Sequence, residues 1–518
     1  MKNVIVRGLA AVSLLCLSFV AGAQYRDGVK PDTAAETAGA SVQQILEAAD
    51  SSDVPVVITL DQALQIALSE NIAVKVADKE IERTKYAKRG TYAALFPQID
   101  GSGSYQRTIK RQVVYFDGNP MAGLGGSSSG SGSSSGTGSG SSSGTGSGST
   151  SGTGSGSEGS TSSSKGGGIE MGRLNTMSFG VSAAMPIINA QLWESVKITG
   201  MDVELAVEKA RSSRLNMVSQ VKNAYYAALF AKEAFDVYRE VYENALNNYY
   251  ETEKKYNVQK ATELDMARAK TNVANAIPNV YNAESSVMLS LWQLKAVMGV
   301  DLEMNLDVVG SINDYAGMLD YDTAQHNEIS LESNSTMKQL AIQAEELARS
   351  IRLKQYAYIP TLSLAFNFSG NTMFNDVPSS QWNWTPYSTV GLSLQIPIFS
   401  GLKRMNDVKQ ARNQYQQMQY NITDTERNLK IAIRQSLNTM DTNVKSYSAA
   451  EDAVDAAQKA YNIASKSYEV GRATLTDLND AQLALTQAKL SQSQAIYNFV
   501  VAKTSLEQNL GYDFTTEE

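Results

Sequence analysis

The sequence predicts an α+β membrane protein built from a duplicated helix–hairpin–long-helix unit. Three observations predict it. The chain opens with an export signal, it repeats itself at a constant offset, and it sets strand-length alternating segments between helices of unusual length.

The start of the chain fixes the compartment. Lys2 and Arg7 are followed by the apolar run Leu9 to Val20, and Ala21-Gly22-Ala23 fits an A-x-A cleavage site. That pattern is a secretory signal over residues 1–23, too short for a lasting transmembrane helix. The single Cys of the chain, Cys16, leaves with it, and Ser13-Leu14-Leu15 lack the small residue that a lipoprotein signal sets before its Cys. The mature chain then has neither disulfides nor a thiol nucleophile. Residues 24–57 read as an N-terminal tail, and no later apolar run reaches the length of a helical span. The net charge of −8 comes with no basic stripe, so nucleic acid is not an expected partner.

The duplication is read from matched residues. Tyr256, Val258, Ala261, Thr262 and Asp265 recur as Tyr468, Val470, Ala473, Thr474 and Asp477, one offset of 212. Leu294, Gly299 and Asp301 keep that offset in Leu506, Gly511 and Asp513. Upstream, Met185-Pro186-Ile187 pairs with Ile396-Pro397-Ile398, and Phe96-Pro97 with Ile359-Pro360. The expected units are repeat 1 over 58–300, a connector over 301–327, repeat 2 over 328–512 and a short tail over 513–518.

Each repeat is expected to run in one order: a helix of about thirty residues, a Pro, a strand pair, a second Pro and a very long helix. The long helices follow the strands. No Gly lies between Gly401 and Gly471, none from Met201 to Met298, and no Pro follows Pro397. Val408, Ala411, Tyr415, Met418, Ile422, Thr425, Leu429, Ala432, Ser436 and Thr439 alternate spacings of three and four, the seam of a coiled coil. It continues through Ala450, Ala453, Ala457, Ala460 and Ala464. A helix from Leu402 to Val470 would span about 100 Å and needs packing partners along its whole length.

The strands are read from a period of two. Met177, Phe179, Val181, Ala183 and Met185 share one face, as do Leu362, Leu364, Phe366 and Phe368, and Val390, Leu392, Leu394 and Ile396. Strands are expected near 97–118, 174–189, 360–375 and 386–400. The first is weakest, with Gly101 and Gly103 on its apolar face. Export, alternation and aromatic residues near the strand ends (Phe96, Phe374, Trp382, Trp384, Phe399) suit transmembrane β-strands with lipid outside and water inside. Four strands cannot close a barrel, and an open edge in lipid strands backbone groups at several kcal/mol each. The barrel must therefore be shared. Two subunits give a filled interior, and three give about twelve strands and a passable lumen. Residues 122–168 form the tip of the first hairpin, where Gly125 to Ser164 is Gly, Ser and Thr broken only by Glu158. Such a tract is a flexible coil, expected on the outer side.

With that order established, the chain resembles the TolC-type outer membrane efflux protein family. The residues carrying the likeness are Ile58 to Asn71, Leu95-Phe-Pro-Gln-Ile99, Gln395-Ile-Pro-Ile-Phe-Ser-Gly401 and Tyr468 to Asp480. The resemblance implies a homotrimer with a twelve-stranded outer-membrane barrel continued by a twelve-helix periplasmic tunnel. It implies docking to a periplasmic adaptor and an inner-membrane transporter, and no cofactor. The chain departs from the family in having Ile72 where Pro often follows the Asn, and Ala473 where an arginine is expected.

The resemblance also places a periplasmic gate at Asp477, Asp480, Asp265 and Tyr468. Asp477 and Asp480 fall on one helix face, and threefold symmetry would gather six carboxylates into a cation-attracting ring. Asp at a helix start is favoured for its own sake, which is the plainer explanation. Arg268 stands where Asp480 has its repeat counterpart, so the first turn is not a second ring. Asp265 is expected to accept a hydrogen bond from Tyr468 in the closed entrance. Val470, Gly471, Arg472 and their counterparts Val258, Gln259, Lys260 are the expected adaptor contacts, or else simply helix-breaking turns.

Enzyme readings find no support: His326 is alone in a polar stretch, and the Gly/Ser tract lacks the Lys and helix of a phosphate loop. The rival reading is a coiled-coil surface stalk with a β anchor. A stalk gives no reason to insert a hairpin at the same point of both repeats, whereas a barrel does.

Overall fold

The computed structural model describes residues 56–114, 169–320, 330–376, 378 and 382–512. The expected signal, most of the N-terminal tail, the whole Gly/Ser-rich loop over 122–168, His326 and the tail from Asp513 lie outside these. The chain divides into a mainly helical unit and a β unit formed by residues 93–189 and 359–398.

In the helical unit the order is β1 (Val56–Ile58), α1 (Leu60–Glu70) and α2 (Ile72–Ala93). Then follow α3 (Ala190–Asn257), α4 (Glu263–Met298), β6 (Leu306–Val308), a 3₁₀ helix (Ile312–Asp320) and α5 (Ser335–Tyr356). Last come α6 (Lys403–Glu469) and α7 (Leu475–Leu510). The opening helix of repeat 1 is not continuous. Asn71 takes an extended conformation at ψ 127 and ends α1. Its side-chain oxygen accepts from the backbone N–H of Ala73 (2.8 Å) and starts α2. The opening helix of repeat 2, α5, has only 22 residues. The long helices are 68 and 67 residues.

The seam expected on α6 is largely the covered face. Val408, Ala411, Tyr415, Met418, Ile422, Thr425, Leu429, Ala432, Ser436, Ala450, Ala457 and Ala464 are buried or half-buried, while Thr439, Ala453 and Ala460 are exposed. Between Leu429 and Ala450 the most covered side chains are Ile433, Met440 and Asn443, one position beyond the expected line or off it.

The core joins both repeats. Ile58, Ile66, Val221, Tyr225, Leu229, Leu294, Met298, Phe499 and Val500 are buried together with Ile312 and Leu319. The connector is therefore partly a packed element, since the 3₁₀ helix contributes two core side chains. β1 and β6 pair in parallel, Val56 opposite Leu306. Lys232 of α3 holds β6 through Asp307 (3.0 Å) and the Val308 carbonyl (3.0 Å). The Tyr225 hydroxyl donates to the Val309 carbonyl at 2.7 Å.

The β unit holds β2 (Gln98–Arg107), β3 (Gln112–Val114), β4 (Ile169–Met171), β5 (Asn175–Ile188), β7 (Thr361–Phe374) and β8 (Thr385–Gln395). The main sheet is antiparallel in the order β2-β5-β7-β8, and β3 pairs with β4. β5 runs through Pro186, with an irregularity between Pro186 and Ile188. Register puts the expected apolar set on one face. Val181 lies opposite Gly101 and Phe368, Phe179 opposite Gly103 and Gly370, and Phe366 opposite Val390. Gly370 has a packing role, since a Cβ there would stand 2.6 Å from the Phe179 ring, whereas a Cβ at Gly101 meets nothing within 4 Å. The other face carries Ser102, Ser104, Ser178, Ser182, Asn367, Thr389 and Ser393, one side of the pleat throughout.

Candidate functional site at the paired helix turns

The α3–α4 and α6–α7 turns are built alike, and the local chemistry explains why. Each long helix closes with the N–H of Lys260 or Arg472 reaching back to Lys255 or Ser467 (2.7 and 2.8 Å). Before it comes a left-handed residue, Gln259 at φ 61 or Gly471 at φ 75. This is a Schellman closure, which normally places Gly at the left-handed position. Each following helix opens with a capping box, Thr262 with Asp265 and Thr474 with Asp477.

The two aspartates of the expected gate that stand third in these helices are thus engaged in capping. Asp477 accepts from the Thr474 hydroxyl (2.7 Å) and backbone N–H (2.9 Å). Those two bonds hold its carboxyl below the usual 3.8. Asp265 accepts from Thr262 in the same way, at 2.7 and 3.2 Å. Asp477 remains fully exposed, and Asp480 is exposed one turn further along the same face. A charged, hydrogen-bonded Asp477 stays ionised well into the acid range.

Tyr468 is not brought to Asp265. Its hydroxyl lies 2.6 Å from Thr252 Oγ on α3. Thr252 already donates its one proton to the Asn248 carbonyl (2.7 Å), so Tyr468 is the donor. Lys255 donates to the Tyr468 carbonyl (2.7 Å), and its ammonium sits 4.1 Å from the Tyr468 ring centroid. Thr252 is wholly buried, so the bond is shielded from water. The ends of α3 and α6 are tied by this cluster, and sequence reasoning missed both α3 residues. The signal for them was a break in the duplication: Ala464 and Ser467 stand where Thr252 and Lys255 have their counterparts. Tyr256, the counterpart of Tyr468, is accordingly exposed.

Val258, Gln259, Lys260, Val470, Gly471 and Arg472 are all exposed. They form two similarly closed turns whose following helices differ in charge, with Arg268 on one and Asp480 on the other. No group of three His, Cys, Asp or Glu side chains suited to a metal occurs among the described residues.

The chain is similar to known proteins across most of its length. It is 20% identical over 337 residues to the outer membrane protein TolC of Vibrio cholerae, covering 65% of this chain and 76% of that protein. It is 22% identical over 352 residues to TolC of Escherichia coli, covering 65% and 70%. Among solved structures, the Campylobacter jejuni CmeC outer membrane channel superposes with a TM-score of 0.63 at 17% identity, covering 87% of this chain and 85% of that one. VceC of Vibrio cholerae does so at 0.62 and 14% identity, covering 88% and 96%. These likenesses give the fold. The family model described as outer membrane efflux protein matches residues 63–300 and 328–512, and the chain belongs to that family.

Proposed function

We propose that three copies of this chain form the exit duct of a tripartite efflux or type I secretion system. The family places the protein in the outer membrane as a channel. The observation that carries the finer reading is the four-stranded sheet with one apolar face and two terminal strands, β2 and β8, each paired on one side only. Backbone groups on such edges are tolerated in lipid only when another chain pairs with them. Joining β8 of one copy to β2 of the next closes a ring, and three copies give about twelve strands with a wet lumen. The polar face of serines, threonines and asparagines then lines the water, and the apolar face meets lipid.

The helices supply the rest of the conduit, a twelve-helix periplasmic tunnel in the trimer. Val470, Gly471, Arg472, Val258, Gln259 and Lys260 are the contacts for a periplasmic adaptor, which couples the duct to an inner-membrane transporter. Asp477 and Asp480 form the selectivity ring at the entrance, and the Tyr468–Thr252–Lys255 cluster holds it in the narrow state. Cargo passes by diffusion, driven by the partners. An unheated SDS gel of outer-membrane extract tests the assembly: a band at three chain masses that collapses to one on boiling is expected. A stable single-chain band without heating ends the shared-barrel reading.

A further inference from the structure

We infer that a cavity inside the helical unit, set between α1, α3, α7 and the 3₁₀ helix, is a binding site for an apolar α-amino acid in its zwitterionic form. None of the residues lining it belongs to the paired turns or to the sheet, so it is independent of the duct reading above. The cavity has a volume of about 280 Å³. Leu64 of α1, Met318 of the 3₁₀ helix and Val500 of α7 supply apolar wall.

Two phenols also line it, and their hydroxyls are unused. Tyr226 is 5% exposed and meets Tyr315 edge-on, with ring centroids 5.0 Å apart. Among the described residues no group hydrogen-bonds either hydroxyl. The neighbouring hydroxyls are spent inside the fold, Tyr225 on the Val309 carbonyl and Thr504 on the Val500 carbonyl at 2.8 Å. A buried hydroxyl normally has a partner, and leaving it without one costs free energy. Burial, and after it the neighbouring Tyr315, Glu507, Tyr225 and Asp61, push the Tyr226 hydroxyl up, so it stays a donor.

The charges are arranged to match. Glu507 is shared by two ammoniums, Lys222 at 3.1 Å and Lys503 at 3.9 Å, the second beyond hydrogen-bond distance. Lys503 otherwise reaches only the Met318 sulfur, at 4.0 Å, so its donors have no oxygen. Asp61 lines the same cavity, and its carboxylate has no ion pair or hydrogen bond among the described residues. Its place in the first turn of α1 suits the helix dipole, and the cavity gives it a second use. Two ammoniums and two carboxylates line the cavity, a net charge of zero. What is left over is donors at Lys503, Tyr226 and Tyr315 and an acceptor at Asp61. A ligand carboxylate answers the donors, a ligand ammonium answers Asp61, and an apolar side chain covers Leu64, Met318 and Val500. A simple carboxylate leaves Asp61 unanswered, and a simple amine leaves Lys503 and Tyr226 unanswered. Pockets for drug-sized ligands begin near about 300 Å³, so the fit is to a molecule the size of leucine.

The test uses full-length protein in detergent, with leucine binding read by isothermal titration calorimetry and by the shift in melting temperature. Leucine is expected to bind saturably and to raise the melting temperature. N-acetylleucine lacks the ammonium, leucinamide lacks the carboxylate and glycine lacks the apolar body. Each is expected to bind at least about tenfold more weakly. Tyr226→Phe removes a hydroxyl that has no partner and keeps the ring, so the fold is kept, and leucine affinity is expected to fall about fivefold. Asp61→Asn is expected to lower leucine affinity about tenfold while leaving N-acetylleucine binding unchanged. Absence of saturable leucine binding, binding of N-acetylleucine or leucinamide equal to that of leucine, or unchanged leucine affinity in either variant overturns the inference.

Discussion

Asn71 and Asn334 perform the same operation in the two repeats. Each opens a helix with its side-chain oxygen, and each sends its amide N–H₂ to the last turn of a distant helix. Asn71 donates to the Val297 carbonyl and Asn334 to the Asn509 carbonyl, both at 2.6 Å. The carbonyls lie just before the left-handed glycines Gly299 and Gly511. A cap and a tertiary bond are lost together when either side chain is shortened. Asn71→Ala and Asn334→Ala are each expected to destabilise the helical unit by about 2 kcal/mol. Denaturant midpoints of the two single variants check this, and near-equal losses are the expected result.

Ile72 follows Asn71 at the first position of α2 and is 72% exposed. Proline suits that position, and the extended Asn71 before it is compatible with a following Pro. Ile72→Pro is expected to stabilise the protein by about 0.4–1 kcal/mol through the unfolded chain. A lowered melting temperature would contradict this.

Gln259 and Gly471 hold the same left-handed backbone, and only one of them is glycine. Gln259→Gly is expected to gain up to about 1 kcal/mol, and Gly471→Gln to lose about as much. A Cβ at Gly471 meets nothing within 4 Å, so the loss is conformational and the variant still folds. Paired thermal melts of the two variants decide the sign.

Burial lifts the Tyr225 hydroxyl to about 12. Its folded value lies above the ordinary 10, so folding favours the protonated form and stability falls as pH rises between 10 and 12. Tyr225→Phe should cost about 1 kcal/mol at neutral pH, because the Val309 carbonyl loses its donor. It should also flatten the alkaline loss across that window. Urea midpoints at pH 8, 10 and 11 measure both effects.

Asp477→Asn with Asp480→Asn is expected to lower cation preference and weaken block by multivalent cations in single-channel recordings. Asn can still accept in the Thr474 box, so the fold is kept while the charge goes. In the wild type the capping contribution of Asp477 is complete above its ordinary 3.8 and is lost as pH falls through its lower folded value. Unchanged selectivity in the double variant would remove the gate assignment and leave the fold intact.

Much of this architecture is written in local patterns. The duplication places Asp265 and Asp477 at equivalent helix starts, and the period of two in Phe179, Val181 and Phe366 places them on one sheet face. The lack of helix breakers between Gly401 and Gly471 sets a helix of 67 residues. These depend on nearest neighbours along the chain, so composition and spacing suffice. The site was less legible. Tyr468 is tied to Thr252 and Lys255 because α3 and α6 end side by side, and no local pattern tells a tyrosine which of several hydroxyls and carboxylates will be within reach.

The sequence by itself determined the two repeats, the strand faces and the long unbroken helices. Only the tertiary structure decided that Asn71 breaks the opening helix, that Ile433 and Met440 become the most buried side chains in the middle of α6, and that the 3₁₀ helix of the connector enters the core. The physical reason is range. Capping, alternation and breaking act over a few residues, whereas a hydrogen bond from Asn71 to Val297 or a buried Ile312 depends on surfaces that meet only after the chain has closed on itself.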